Sequence, residues 1–188
     1  MEKNRSEEIN IPEPPISKLV FGSTKFSFIW LALRLYIGWI WIQAGYEKII
    51  SPAWTGPSSG KALQGFLLGA LEKTNGAHPD VSFWYADLIK NIALHNTQLI
   101  SYVVAYGEFI VGIAIILGMF TGISAFFGAF MNMNYLFAGT VSVNPIMFLC
   151  ELFLILAWRT AGWFGVDRYL LPLLGTPWHK GKLFKQSA

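Results

Sequence analysis

The sequence predicts an all-α integral membrane protein, a four-helix bundle with a long extracytoplasmic connection that carries short amphipathic helices. First, 54% of the 188 residues are hydrophobic and only 13% are charged, about half the charged share of a soluble domain. Second, four apolar segments approach the roughly 20 residues that a helix needs to cross a bilayer. Third, charged and amide side chains recur inside those segments, which indicates a polar interior.

The four predicted spans are the apolar segments 26–45, 97–119, 123–138 and 145–164. Thr121 and Gly122 separate the second from the third, and a turn-like stretch at 139–145 separates the third from the fourth. A mixed-charge leader containing prolines precedes the first segment, which is longer than the apolar core of a secretory signal. We therefore interpret the first segment as a retained span.

Lysine and arginine near the span ends predict the orientation, because they favour the cytoplasmic side. They lie in the leader and from Arg159 onward, four lysines are spread thinly along the connection 48–96, and the two short loops have none. Both termini are therefore expected in the cytoplasm of a multi-pass cell-membrane protein, with the connection 48–96 outside. The predicted parts are a leader (1–25), a four-helix domain (26–171) and a basic tail (172–188).

The connection between the first two spans is more than a linker. Segments 62–71 and 81–94 mix apolar and aromatic residues with Glu72, Asp87 and Lys90, a pattern typical of helices that lie on a membrane surface. The stretch 74–80 between them contains Asn75, Gly76 and Pro79 and predicts a turn.

At least three charged residues lie deep inside the predicted spans: Arg34, Glu108 and Glu151. Each costs about 2.5 to 3.5 kcal/mol at the centre of a membrane helix, so each needs a partner or a function. From the helical rise, Asn132 and Asn134 are expected at similar depths. Helical phase places the polar residues on stripes of small residues that should face the interior; the stripes are Arg34, Gly38, Trp41 and Gly45, then Ser101, Ala105, Glu108 and Gly112, then Ser124, Gly128 and Asn132.

This pattern predicts that Arg34 pairs with Glu108 and faces Asn132, with Glu151 nearby and Gln43 on the opposite face of its helix. One arginine beside two carboxyl groups leaves an acid able to hold a proton, which suits proton transfer. Candidate catalytic residues are thus Arg34, Glu108 and Glu151, and candidate binding residues are Asn132, Asn134, Tyr106 and Tyr135. The alternative is a polar cluster that only holds the helices together.

Other residues carry weaker signals. Glu47 and Lys48, at the outer end of the first span, are interpreted as interfacial anchors, and the single Cys150 as a small buried hydrophobe. The sequence shows no metal, haem or flavin motif. Because the basic residues are not interleaved with aromatics in one patch, no nucleic-acid partner is expected.

Several runs of residues resemble DoxX-type membrane proteins. They are RLYIGW at 34–39, AGYEK at 44–48, GFLLGA at 65–70, YGE at 106–108 and the run from Gly128 to Pro145. The resemblance covers about 33–171. It implies a four-helix membrane protein in quinone-linked redox chemistry, like the DoxD subunit of thiosulfate:quinone oxidoreductase, which works with a smaller DoxA partner.

The resemblance leads to the first functional hypothesis: an oxidoreductase subunit that takes electrons from thiosulfate or another sulfur compound or thiol and passes them to quinone, its substrate. Arg34 would donate a hydrogen bond to a quinone oxygen, and Glu108 or Glu151 would relay protons. Expected partners are the bilayer, a soluble or small membrane subunit, and further copies of the chain. Whether the chain is catalytic alone stays open. The alternatives are a small-solute or proton-coupled transporter and a non-catalytic anchor for a redox enzyme.

Overall fold

The computed structural model describes residues 12–175, and this part of the chain is helical without strands. The all-α prediction is therefore confirmed. The beginning of the predicted leader and nearly all of the predicted basic tail, residues 1–11 and 176–188, lie outside the described residues. The α-helices are α1 (Pro15–Gly22), α2 (Ser27–Ile50), α3 (Lys61–Glu72), α4 (Phe83–Leu88), α5 (Thr97–Leu117), α6 (Thr121–Phe137), α7 (Asn144–Leu156) and α8 (Asp167–Leu174).

The longest helices pack as two antiparallel pairs, α2 with α5 and α6 with α7. Helices α2 and α5 touch backbone to backbone: a Cβ on Gly112 would lie 2.8 Å from the Gly38 carbonyl oxygen and 2.7 Å from the Ile42 nitrogen. Only glycine permits this approach, as is common where membrane helices cross. The predicted small-residue stripes face inward, because their members are buried in α2, α5 and α6.

Two helical segments within residues 12–175 are long and apolar enough to cross a membrane, Thr24–Ile50 and Phe83–Leu117. With 17 and 13 residues, α6 and α7 reach only about 25 and 20 Å, short of a hydrocarbon core of about 30 Å. The four-helix membrane bundle and its outer connection therefore stay predictions.

The fourth predicted segment, 145–164, is helical only as far as Leu156, and turns follow. The prediction of one continuous helix there is wrong. Arg34 accounts for the difference, because it donates hydrogen bonds to the carbonyl oxygens of Ala161 and Phe164. These bonds satisfy backbone groups that would be costly to leave unpaired once buried.

The connection contains the helices α3 and α4, in agreement with the predicted helical segments, although its location outside the membrane is not shown. After α4 the chain continues through a π-helical turn, Ile89–Ala93, and a 3₁₀ turn, Leu94–Asn96, directly into α5. Lys73 donates a hydrogen bond to the Gly139 carbonyl oxygen at 2.7 Å. The connection is thus fastened over the end of α6.

Candidate functional site

Three residues of α2, Arg34, Trp41 and Lys48, define three polar levels in the interior. They are spaced seven apart, so they share one helix face and succeed each other at intervals of about 10 Å. Each contacts a different set of partners. The single cluster expected from the sequence is therefore divided into three, and we call its two extremes the Arg34 end and the Lys48 end.

At the first level, Arg34 is fully buried and binds backbone carbonyl oxygens instead of a carboxylate. Its guanidinium donates to Ile115 at 3.0 Å, Ile116 at 3.0 Å, Ala161 at 2.7 Å and Phe164 at 3.2 Å. Two of these carbonyls belong to the last turn of α5, where a positive charge is favoured. The predicted Arg34–Glu108 pair is wrong.

The direction of side chains along a helix explains why Arg34 and Glu108 do not meet. Side chains lean toward the N-terminus of their own helix. Because α2 and α5 are antiparallel, Arg34 leans toward one end of the pair and Glu108 toward the other. The same rule brings Lys48 back from the last turn of α2 toward Glu108.

A buried acid closes the Arg34 end. The carboxylate of Asp167, the first residue of α8, accepts hydrogen bonds from the Phe120 nitrogen at 2.6 Å and from the Thr121 nitrogen and hydroxyl at 2.8 and 2.7 Å. These donors stand at the start of α6, where a negative charge is stabilised. The start of α6 and the start of α8, far apart in the sequence, are thus tied together at this end.

At the second level, the Glu151 carboxyl accepts one hydrogen bond from the Trp41 indole at 2.6 Å and one from the Asn132 amide at 2.7 Å. All three side chains are buried. Gly128 makes room for them, since a Cβ there would lie 3.1 Å from both the Glu151 carboxyl carbon and the Trp41 nitrogen. Asn132 and Glu151 are close together, but neither contacts Arg34, so the expected grouping of Arg34, Glu108 and Asn132 is wrong.

At the third level, Glu108 joins three helices. Its carboxylate forms an ion pair with the Lys48 ammonium at 2.7 Å and accepts a hydrogen bond from the Tyr135 hydroxyl. The ammonium also lies 5.2 Å from the centre of the Trp54 ring. Glu108 is only 1% exposed and Lys48 19%, so this acid is almost fully buried and has a cation and a phenol as partners.

The interpretation of Lys48 as an interfacial anchor is therefore wrong. Its spacing of seven from Trp41 and fourteen from Arg34 placed it on the interior face, a signal present in the sequence. The prediction instead followed the position of Lys48 near the end of an apolar segment, because a lysine at a helix end more often extends outward to the interface.

A cavity of about 310 Å³ opens at the Lys48 end beside this trio. Its walls combine Lys48, Glu108 and Tyr135 with aromatic rings and with the loop between α6 and α7, and the remaining lining includes Trp41, Trp54, Leu63, Phe66, Thr140, Ser142, Asn144 and Met147. A largely apolar hollow with a few converging polar groups is the usual form of a small-molecule site.

Of the four candidate binding residues, only Tyr135 lines this cavity, and Asn132 lies behind its wall with Glu151. Tyr106 is 46% exposed on the outer face of α5, with its ring stacked on Tyr102. The Asn134 side chain and carbonyl accept hydrogen bonds from the Tyr85 hydroxyl at 3.1 and 3.0 Å, so Asn134 joins α6 to α4. The structure therefore does not bring Tyr106 and Asn134 to this cavity, and their role in binding stays a prediction. Gln43 is exposed, as expected.

Among residues 12–175, no group of three or more histidine, cysteine, aspartate or glutamate side chains is arranged to hold a metal ion. Cys150 is a free thiol of intermediate exposure on α7, so the prediction that it is buried holds only in part. The chemistry of the described site thus resides in one ammonium, one phenol and two carboxyl groups.

The structure defines a class of protein: helical, with large apolar side chains over its surface and acids in its interior. A family model described as "TQO small subunit DoxD" matches residues 29–185, and the chain belongs to the DoxD family. The resemblance drawn from the sequence is confirmed. Comparisons with curated proteins and with solved structures give no match. Family membership and the two long apolar helices together make the chain a membrane protein.

Proposed function

We propose that the protein is a membrane subunit of a thiosulfate:quinone oxidoreductase and that its cavity binds the ring of a quinone. The observation that carries this proposal is the hydrogen-bonded trio of Lys48, Glu108 and Tyr135 at the wall of a partly aromatic cavity. The family description, with its words "small subunit", supports both the reaction and an assembly with further subunits.

The trio suits the proton chemistry of quinone reduction, in which two electrons and two protons convert the two carbonyl oxygens to hydroxyls. Lys48 and Tyr135 can each donate a hydrogen bond to a carbonyl oxygen and so stabilise the negative charge that develops there. Glu108 contacts both donors and can replace a proton that either gives up. The electrons come from thiosulfate or a thiol, oxidised by this chain or by a partner subunit.

The aromatic walls suit the quinone ring itself. Trp41, Trp54 and Phe66 line the same cavity as the trio, and flat rings stack favourably against aromatic side chains. A volume of about 310 Å³ lies at the small end of the range for ligand sites. It fits a ring system and leaves an isoprenoid tail to extend into the lipid.

Arg34 has no part in this proposal, because its guanidinium is bound to four carbonyl oxygens at the opposite end of α2. The quinone hydrogen bond expected of Arg34 is assigned to Lys48 and Tyr135 instead. Glu108 keeps the proton-relay role that the sequence indicated.

The test is retention of quinone by protein purified in mild detergent, measured by extraction and chromatography. We expect the wild-type protein to retain quinone and the Tyr135→Phe and Lys48→Met variants to retain at least about tenfold less, a loss of roughly 1.4 kcal/mol of binding. Tyr106→Phe is the matched control, because that tyrosine faces outward and should leave retention unchanged. Wild-type protein that neither retains nor reduces quinone, with thiosulfate or thiol donors and candidate partners supplied, would falsify the proposal.

A further inference from the structure

Glu151 and Asn132, which form a cluster with Trp41, have no role in the reaction proposed for the cavity, yet they lie directly behind the cavity wall. The Trp41 ring lines the cavity, and its indole nitrogen binds Glu151. On α7, Met147 also lines the cavity and stands one helical turn before Glu151. A carboxyl group is thus buried one side chain away from the proposed quinone site.

The charges around Glu151 do not compensate a carboxylate. Its two hydrogen-bond donors, an indole and an amide, are neutral, and within residues 12–175 its carboxyl group forms no ion pair. On α2, Arg34 and Lys48 each stand seven residues from Trp41, about 10 Å along the helix. Arg34 is bound to carbonyl oxygens and Lys48 to Glu108.

The remaining titratable neighbours add no positive charge. Tyr135 on α6 and Glu108 on α5 are bound to each other, and the Cys150 thiol is adjacent to Glu151 in the sequence. A buried carboxylate with neutral donors alone carries a large desolvation cost, and in proteins such a group commonly takes up a proton instead.

Asn132 is suited to a carboxyl group that changes its protonation state. Its Oδ1 atom is buried and has no hydrogen-bond partner in the described part of the chain, while its Nδ2 donates to Glu151. An amide carries both a donor and an acceptor, so a half-turn of this side chain would let Oδ1 accept a hydrogen bond from protonated Glu151. The Trp41 indole donates to the carboxyl group in either state.

We infer that the Trp41–Glu151–Asn132 cluster is a proton-binding site, in which Glu151 rests in its neutral form and exchanges its proton with solvent that reaches the cavity. Release leaves a carboxylate held by the Trp41 and Asn132 donors, and uptake of a proton from the cavity restores the resting state. Use of this proton as the second of the two needed for quinol formation rests on the proposed function.

Infrared spectroscopy of the purified protein tests the inference without any quinone. We expect a carbonyl stretching band of a protonated carboxyl group at neutral pH, shifted in deuterated water, and absent from Glu151→Gln. Glutamine matches the shape of a protonated glutamate and keeps its hydrogen bonds, so this variant should unfold at the wild-type temperature or above. Glu108→Gln is the matched control and should retain the band, because Glu108 is paired with Lys48.

Asn132→Leu tests the partner. Without the amide the band should move to higher frequency, as expected for a carboxyl group that has lost a hydrogen bond. A band that persists in Glu151→Gln, or no exchangeable band at neutral pH, overturns the inference. A band that stays at its wild-type frequency in Asn132→Leu overturns the assignment of Asn132.

The two proposals fail separately. An infrared band from Glu151 in protein that never binds quinone would leave the proton site standing and remove the proposed function. Quinone retention without such a band would support the proposed function and remove the proton site. If both hold, reduction of the bound quinone should diminish the band in wild-type protein and leave the Glu151→Gln spectrum unchanged in that region.

Discussion

The guanidinium of Arg34 donates hydrogen bonds to four carbonyl oxygens, those of Ile115 and Ile116 in the last turn of α5 and those of Ala161 and Phe164 in the turns after α7. A guanidinium can reach several acceptors at once because its donors form a rigid, planar fork, whereas an ammonium is a single point of charge. Arg34 therefore stabilises the meeting of α5 with the turns after α7. Its charge serves the fold and is remote from the cavity.

We expect Arg34→Lys to lower the free energy of unfolding by about 2 kcal/mol or more, since hydrogen bonds to a charged group contribute about 1.5 to 3 kcal/mol each and lysine can replace only some of them. Thermal unfolding in detergent measures the change. Arg159→Lys is the control, because Arg159 pairs with Glu13 at the exposed surface and such pairs contribute little. Equal losses in the two variants would contradict the role of Arg34.

At the level of residues, helical phase alone identified which side chains face inward. Arg34, Glu108 and Asn132 are buried, as their positions on small-residue stripes predicted, and Glu151, for which no stripe was identified, is buried as well. Phase does not determine which residues meet, because that depends on the lean of long side chains and on the offset between antiparallel helices. The sequence therefore located the polar interior and mispaired its members.

The crossing of α2 and α5 depends on glycine at three positions, Gly38, Gly45 and Gly112. It holds Lys48 and Glu108 at ion-pair distance, so the geometry of the cavity depends on how closely these two helices pack. A methyl group at the crossing would push the two backbones apart.

We expect Gly112→Ala to destabilise the protein by about 1 to 3 kcal/mol, the usual cost of overpacking, and to reduce quinone retention with it. The matched control is Gly107→Ala on the same helix, where a Cβ would lie 3.8 Å from the Met131 sulfur, an ordinary contact. That variant should be at least as stable as wild type, because alanine favours helix over glycine. Similar thermal unfolding curves for both variants would show that the crossing is not tight.

At the level of elements, the apolar segments predicted the beginnings of α5, α6 and α7 within two residues. The end of α7 was missed, because the apolar run continues through turns whose carbonyl groups are bound by a residue far away in the sequence. The π-helical turn Ile89–Ala93 was not predicted from the sequence either. Composition records hydrophobicity and is insensitive to such changes in hydrogen bonding.

The two ends of the molecule differ in what their buried charged side chains bind. At the Lys48 end, the cavity proposed for quinone adjoins the Lys48–Glu108–Tyr135 trio and the loop between α6 and α7. At the Arg34 end, Arg34 and Asp167 bind the backbone of neighbouring segments, and a second cavity of about 390 Å³ lies against Asp167. If the predicted orientation holds, the cavity faces the outside of the cell, where a sulfur compound would arrive.

Cysteine labelling tests the orientation. In a Cys150→Ser background, we expect a membrane-impermeant thiol reagent to label Ser142→Cys on intact cells and Thr24→Cys only after the membrane is opened. Both positions are exposed and lie at opposite ends of the molecule. Labelling of Thr24→Cys on intact cells, with Ser142→Cys protected, would reverse the predicted topology.

The hydrogen bonds at the Arg34 end have a consequence for biosynthesis. Arg34 is made early, but two of its acceptors, on Ala161 and Phe164, follow 127 and 130 residues later, and Asp167 must then reach back to the start of α6. Until those late residues emerge, a charged guanidinium in an apolar helix lacks half of its acceptors. Contacts between residues so distant in the chain form slowly. The hydrogen bonds of Arg34 in α2 therefore stay incomplete until the last segment has been synthesised and packs against it.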